Sequence, residues 1–247
     1  MIISVYAPKP GYGASTVARM LALSLAERES VLYVELDYYF PSTPLVSIMK
    51  DQKRSLDHCL DQFNQLGEAN WSFHDYVKRY HKTNLALLVP LGMKGFERFP
   101  EEHPDFIRSL IAQATAYGYK HVVFDVVSLP DTIFCREALA NSNLIFSVVD
   151  HSYGGICLFY HRLDLFKELH ILENMELVLN DSQRSGQYNK LIKHDLLSKK
   201  PVAMIPYVSA LTRADATSEI LVPLKAKREV AKLVALVDQI QEKGASA

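Results

Sequence analysis

The chain is poor in the features that would commit it to a specialised environment. Its 247 residues hold three cysteines, Cys59, Cys135 and Cys157, far apart and with no C-x-x-C pair. That excludes a disulfide framework and a zinc knuckle, and the three read as reduced thiols of a cytoplasmic protein. No apolar run approaches the ~18 residues of a membrane span, and the first residues read as a strand rather than a signal peptide. Lys and Arg number 27 against 28 Asp and Glu, a net charge of −1. A balance so close to neutral gives no general attraction to nucleic acid or anionic lipid. The nine histidines share no metal-ligand spacing. There is no G-x-S-x-G nucleophile turn, no Gly/Ser-rich linker and no internal repeat.

What the chain does have is regular alternation. Apolar runs at 2–7, 31–36, 85–90, 121–124, 144–149, 176–179 and 202–205 alternate with segments of helical period. Short runs without polar alternation are what strands covered on both faces look like. The prediction is an α/β fold, a mainly parallel twisted sheet of about seven strands with helices on both faces. The length and a hydrophobic content of 49% suit one large domain, expected over 1–243 with a short tail at 244–247. The polar stretch from Pro41 to Thr83, with the single tryptophan Trp71, reads as a helical cover over one sheet face. From Leu224 to Lys243, Val230, Leu233, Val234, Val237 and Ile240 recur at helical spacing. This final helix is expected to pack on the domain; its basic start (Lys225, Lys227, Arg228, Lys232) leaves membrane contact as the alternative. Lys193, His194, Lys199, Lys200 and Arg213 read as solvated surface, with a DNA-contacting patch as the other reading.

The most telling stretch is Lys9-Pro10-Gly11-Tyr12-Gly13-Ala14-Ser15-Thr16, between a strand-like run and a helix-like run. Strand, glycine-rich loop and helix in that order make a phosphate-binding loop. In a working loop, backbone N–H groups cradle phosphates and a lysine before the Ser/Thr reaches the β- and γ-oxygens. Here that position is Ala14. A charge-assisted bond to phosphate contributes about 1.5–3 kcal/mol, so its loss weakens ATP binding about ten- to a hundredfold. Hydrolysis suffers more, because that lysine also stabilises charge on the transferring phosphoryl group. Pro10 removes one more backbone donor. The donors from Gly11 to Ser15 and the positive end of the following helix remain.

These residues resemble the MinD/ParA branch of P-loop ATPases, whose loop reads K-G-G-x-G-K-[ST]-[ST]. Lys9, Gly11, Gly13, Ser15 and Thr16 match; Pro10 and Ala14 depart. The likeness spans Met1 to about Ile240. Val31 to Asp37 resembles the strand ending in a D-x-D-like element, with Glu35 replacing the first acid. His121 to Asp125, followed by Pro130, resembles the Walker B strand. Glu176 to Asn180 resembles the strand ending in a nucleotide-facing Asn, and Met204 to Tyr207 the I-P-Y turn beside adenine.

The resemblance implies ATP or ADP with magnesium, bound weakly or not at all. Lys9, Gly11, Tyr12, Gly13, Ala14, Ser15, Thr16, Asn180 and Pro206 would contact nucleotide, and Ser15 and Asp125 would hold Mg. Asp37 is a vestigial water-positioning acid or a strand-end cap. Tyr38, Tyr39 and Phe40 after it read as space-filling aromatics. Lys9 either crosses a homodimer interface to the partner's nucleotide or is a solvated lysine. Relatives lacking the loop lysine occur among TadZ/CpaE-like proteins, which localise pilus or secretion machinery through protein partners. That implies a largely non-hydrolysing localisation or assembly factor, cytoplasmic and recruited to a pole or membrane-bound machine, with membrane contact only indirect. The alternatives are a slow ATP-dependent dimerisation switch and a DNA- or membrane-associated partitioning protein.

Overall fold

Apolar runs bounded by amphipathic segments give strands sandwiched between helices. The computed structural model describes residues 1–38, 41, 54–91, 101–126, 128, 132–150, 152–180, 200–208 and 220–245. The elements in chain order are β1 (Ile2–Tyr6), α1 (Ala14–Leu25), β2 (Val31–Glu35), α2 (Leu56–Leu66), β3 (Lys78–Arg79), β4 (Leu85–Leu88), α3 (Pro104–Ala116), β5 (His121–Asp125), α4 (Ile133–Ala140), β6 (Leu144–Asp150), α5 (Tyr153–His161), α6 (Leu163–Glu168), β7 (Met175–Asn180), β8 (Ala203–Ile205) and α7 (Leu224–Ala245). The strands form one eight-stranded sheet in the order β3-β4-β2-β5-β1-β6-β7-β8. Its pairings are parallel except β3 with β4. The eighth strand is β3, which sequence reading misses because two basic residues carry no apolar signal.

Alternation along each strand divides the apolar side chains between two faces. Ile3, Val5, Val31, Tyr33 and Val123 pack under α1 and α7 with Val17, Leu21, Val230, Leu233 and Val237. Leu32, Val34, Val122 and Phe124 face the other way, onto Phe63, Trp71, Phe106 and Phe134. The Pro41 to Thr83 stretch is a cover, as expected, over its described part. Phe63 on α2 meets Trp71 edge-on with ring centroids 4.9 Å apart, and the Trp71 indole N–H donates to Ser109 Oγ at 3.0 Å. Tyr38 fills this second core: it is buried, donates its hydroxyl to Glu102 and meets Phe134 edge-on. Tyr39 and Phe40 lie outside the described residues, as do Lys193, His194, Lys199 and Arg213.

The last helix packs on the domain. Ala226, Val230, Leu233 and Val237, spaced four, three and four apart, are buried against α1 and β8. Lys225, Lys227, Arg228 and Lys232 are exposed. A 2.8 Å ion pair joins Arg28, just past α1, to Asp238. The helix runs on through Gly244 to Ala245.

Strand register fixes where chemistry gathers. β5 lies between β1 and β2, with Val5 and Glu35 both opposite Asp125. The loop after β1, the acid ending β2 and the acid ending β5 therefore meet at the carboxyl end of the sheet, where open α/β sheets bind ligands.

Candidate functional site

β1 delivers buried Ala7 and Pro8, and the chain then surfaces at Lys9, Pro10 and Gly11. Gly11 and Gly13 take φ of 86° and 90°. A side chain is disfavoured at such angles by about 1–2 kcal/mol. Gly13 is the N-cap of α1 and supplies no side-chain cap, so the first-turn N–H groups lack that partner. Space is tight on one side only. A Cβ at Gly11 would meet nothing within 4 Å, whereas one at Gly13 would lie 2.1 Å from Asn180 Nδ2. That nitrogen donates to the Tyr12 carbonyl at 2.9 Å. Asn180, expected to face a nucleotide, thus reaches from the end of β7 and braces the loop backbone itself. Gly13→Ala is expected to destabilise the chain by about 2–3 kcal/mol, combining φ strain with loss of this bond. Urea unfolding measures it, and a loss under ~0.5 kcal/mol would refute the brace.

Beneath the loop lies a buried polar cluster. Ser15 Oγ donates to Asp125 Oδ1 at 3.1 Å, and the Tyr33 hydroxyl donates to Asp125 Oδ2 at 2.8 Å. Glu35 is fully buried and Arg19 nearly so. Burial, and then the neighbouring Glu35 charge, push the Asp125 carboxyl up to about 7. The Tyr33 and Ser15 hydrogen bonds and the Arg19 charge oppose that rise without cancelling it. Asp125 therefore holds its proton far more readily than a free carboxylic acid does. An acid held this far from its ordinary range beside a glycine-rich loop marks a functional site more than a structural one.

Tyr33 and Arg19 are the members that sequence reading misses. The signal was present: residues 31, 33 and 35 share one strand face, and Arg19 stands four residues beyond Ser15 on one helix face. Ala14 opens α1 and is buried in the core. Thr16 and Asp37 are half-buried; Asp37 follows Leu36, whose N–H donates to the Asp125 carbonyl at 2.9 Å. Pro206 is half-buried, one residue past Ile205, the register partner of Asn180. Lys9 is exposed, with no hydrogen bond or ion pair among the described residues.

The residues fit a nucleotide and its cation unequally. The uncapped helix start and the open outer side of Gly11 suit phosphate. Ser15 gives its proton to Asp125 and keeps its lone pairs for a cation. Asp125 has both oxygens engaged and a reduced negative charge, which weakens its pull on magnesium.

No protein-family profile matches the sequence, and no curated protein matches it. Solved structures do match the fold. A putative plasmid partition protein from Borrelia burgdorferi, bound to AMPPNP, superposes with a TM-score of 0.73 at 18% identity over 98% of each chain. MinD from Pyrococcus horikoshii, complexed with Mg-ADP, gives 0.75 at 18% identity, covering 97% of this chain and 96% of that one. MinD from Aquifex aeolicus, in complex with MinC, gives 0.75 at 13%, again covering 97% and 96%. The chain has the MinD/ParA fold. Within that fold the Lys9–Thr16 stretch runs from the end of β1 into α1, and β5 ends at Asp125, which Ser15 of that stretch contacts.

Proposed function

We propose that the chain binds ATP or ADP in the Lys9–Thr16 loop and hydrolyses it little or not at all. It acts as a nucleotide-responsive localisation or assembly factor through protein partners, as TadZ/CpaE-like proteins of pilus or secretion machinery do. One observation carries this reading: the loop keeps its turn geometry and helix start while Ala14 replaces the cation and Asp125 is drawn into a buried network. Gly11 and Gly13 hold the turn at positive φ, and Asn180 braces it through the Tyr12 carbonyl. Ser15 and Asp125 would hold magnesium, which when bound neutralises phosphate charge. Ala14 offers no charge where that lysine would stabilise the leaving and transferring groups, so binding outlasts catalysis. Phosphate release from ATP is expected to stay at the protein-free blank, and sustained multiple turnover would overturn the reading.

Lys9 favours a second reading, an ATP-dependent dimerisation switch, because it stands exposed beside the loop without an ion pair among the described residues. Turnover that rises on adding a partner would favour this switch over the non-hydrolysing factor. We place the protein in the cytoplasm and ascribe any membrane contact to its partners; no described helix is long and apolar enough to cross a membrane.

A further inference from the structure

The end of the sheet opposite the phosphate loop carries a cleft that nucleotide binding does not use. Ser30 precedes β2, Asn84 precedes β4 and Tyr119 precedes β5, so the cleft lies at the amino ends of these strands. Two adjoining cavities of about 200 and 380 Å³ share His74, Arg79, Ala86 and Tyr119, and together make one depression. The larger falls within the ~300–1,000 Å³ range of small-molecule sites.

The lining combines a flat shelf with unused polar groups. His74 stacks on Tyr117 with ring centroids 4.6 Å apart and planes 8° from parallel. Phe73, fully buried, meets Tyr117 edge-on at 5.5 Å and props the pair from below. Tyr117 is nonetheless 53% exposed, a large ring held at the surface. Arg79 on β3 pairs in register with Ala86, is exposed, and has no carboxylate partner among the described residues. Burial pushes the Tyr119 phenol up while the Arg79 charge pulls it down, so the guanidinium acts on the hydroxyl across the cleft. Neither the His74 imidazole nor the Tyr119 hydroxyl has a hydrogen-bond partner among the described residues. Among the described residues of the lining, Asp75 is the one acid.

An uncompensated guanidinium, a free phenol and a stacked ring face converge here without satisfying one another. We propose that the cleft binds a small aromatic oxyanion, its ring on the His74–Tyr117 shelf and its carboxylate or phosphate on Arg79 and Tyr119. A planar guanidinium suits either oxyanion by paired N–H donors. The site is independent of the phosphate loop and stands or falls separately from it.

The test is a titration of the full chain, with ¹³C-labelled histidine and tyrosine rings, by NMR. The probes are phenyl phosphate, benzoate and inorganic phosphate. The expected result is saturable shifts of His74, Tyr117 and Tyr119, with one aromatic oxyanion bound at least ~10-fold tighter than inorganic phosphate. The preferred aromatic probe tells phosphate from carboxylate. Arg79→Ala should weaken that binding at least ~10-fold, and Arg79→Gln gives the same test without shortening the edge-strand side chain as far. Equal binding of inorganic phosphate, shifts at Tyr12 without shifts at His74, or no effect of either Arg79 variant would overturn the proposal.

Discussion

Asp125→Asn is expected to stabilise the folded chain at pH 8, with a gain that fades as the pH falls. The carboxyl is fully enclosed, bears on Glu35 and sits at about 7 against an ordinary 3.8. The folded pKa is the higher one, so the folded state holds a proton that the unfolded chain has released. The contribution of this carboxyl to stability is therefore full below about pH 4 and is lost as pH rises through about 7. Three units correspond to about 4 kcal/mol at most, and weakened bonds from Tyr33 and Ser15 reduce the gain to roughly 2–3 kcal/mol. Asparagine keeps the shape and one acceptor but cannot ionise. Urea unfolding at pH 8 and pH 5 should show the advantage shrinking by about half or more. An asparagine variant equally destabilised at both pH values would show that the charge of Asp125 is held favourably.

Ala14→Lys is expected to tighten ATP binding by about ten- to a hundredfold, with Ala14→Met leaving it near the wild-type value. Position 14 opens α1, directly between the loop glycines and Ser15. A lysine there restores the charge-assisted bond that the backbone cradle lacks, and the methionine matches its length without its charge. Calorimetry on the three chains separates electrostatics from packing. Similar affinities for lysine and methionine would mean that the loop does not present phosphate to this position.

Much of the fold was legible in the sequence because seven strands are apolar runs long enough to stand out from helical period. Lys78–Arg79 was not, since its place in the sheet comes from antiparallel pairing with β4 rather than from its own side chains. The loop was legible from glycine spacing, and the positive φ of Gly11 and Gly13 is the reason glycine stands there. Tyr33 and Arg19 were harder to see. A tyrosine within a buried strand reads as core until register shows that its hydroxyl reaches a carboxylate two residues' rise away on a neighbouring strand. An arginine within an apolar helix face reads as surface until packing places it under the sheet. Asn180 was found from resemblance, but its hold on the Tyr12 carbonyl is a tertiary contact between residues 168 apart in sequence.

The central claim is that a loop without its lysine still holds nucleotide. Calorimetric titration of the full chain with ATP and magnesium, with ADP as comparison, tests it most directly. The account predicts one saturable site per chain, in the range of about ten micromolar to one millimolar, lost in Gly13→Ala under conditions where that variant remains folded. No saturable heat up to millimolar ATP would contradict it and leave the loop a structural turn.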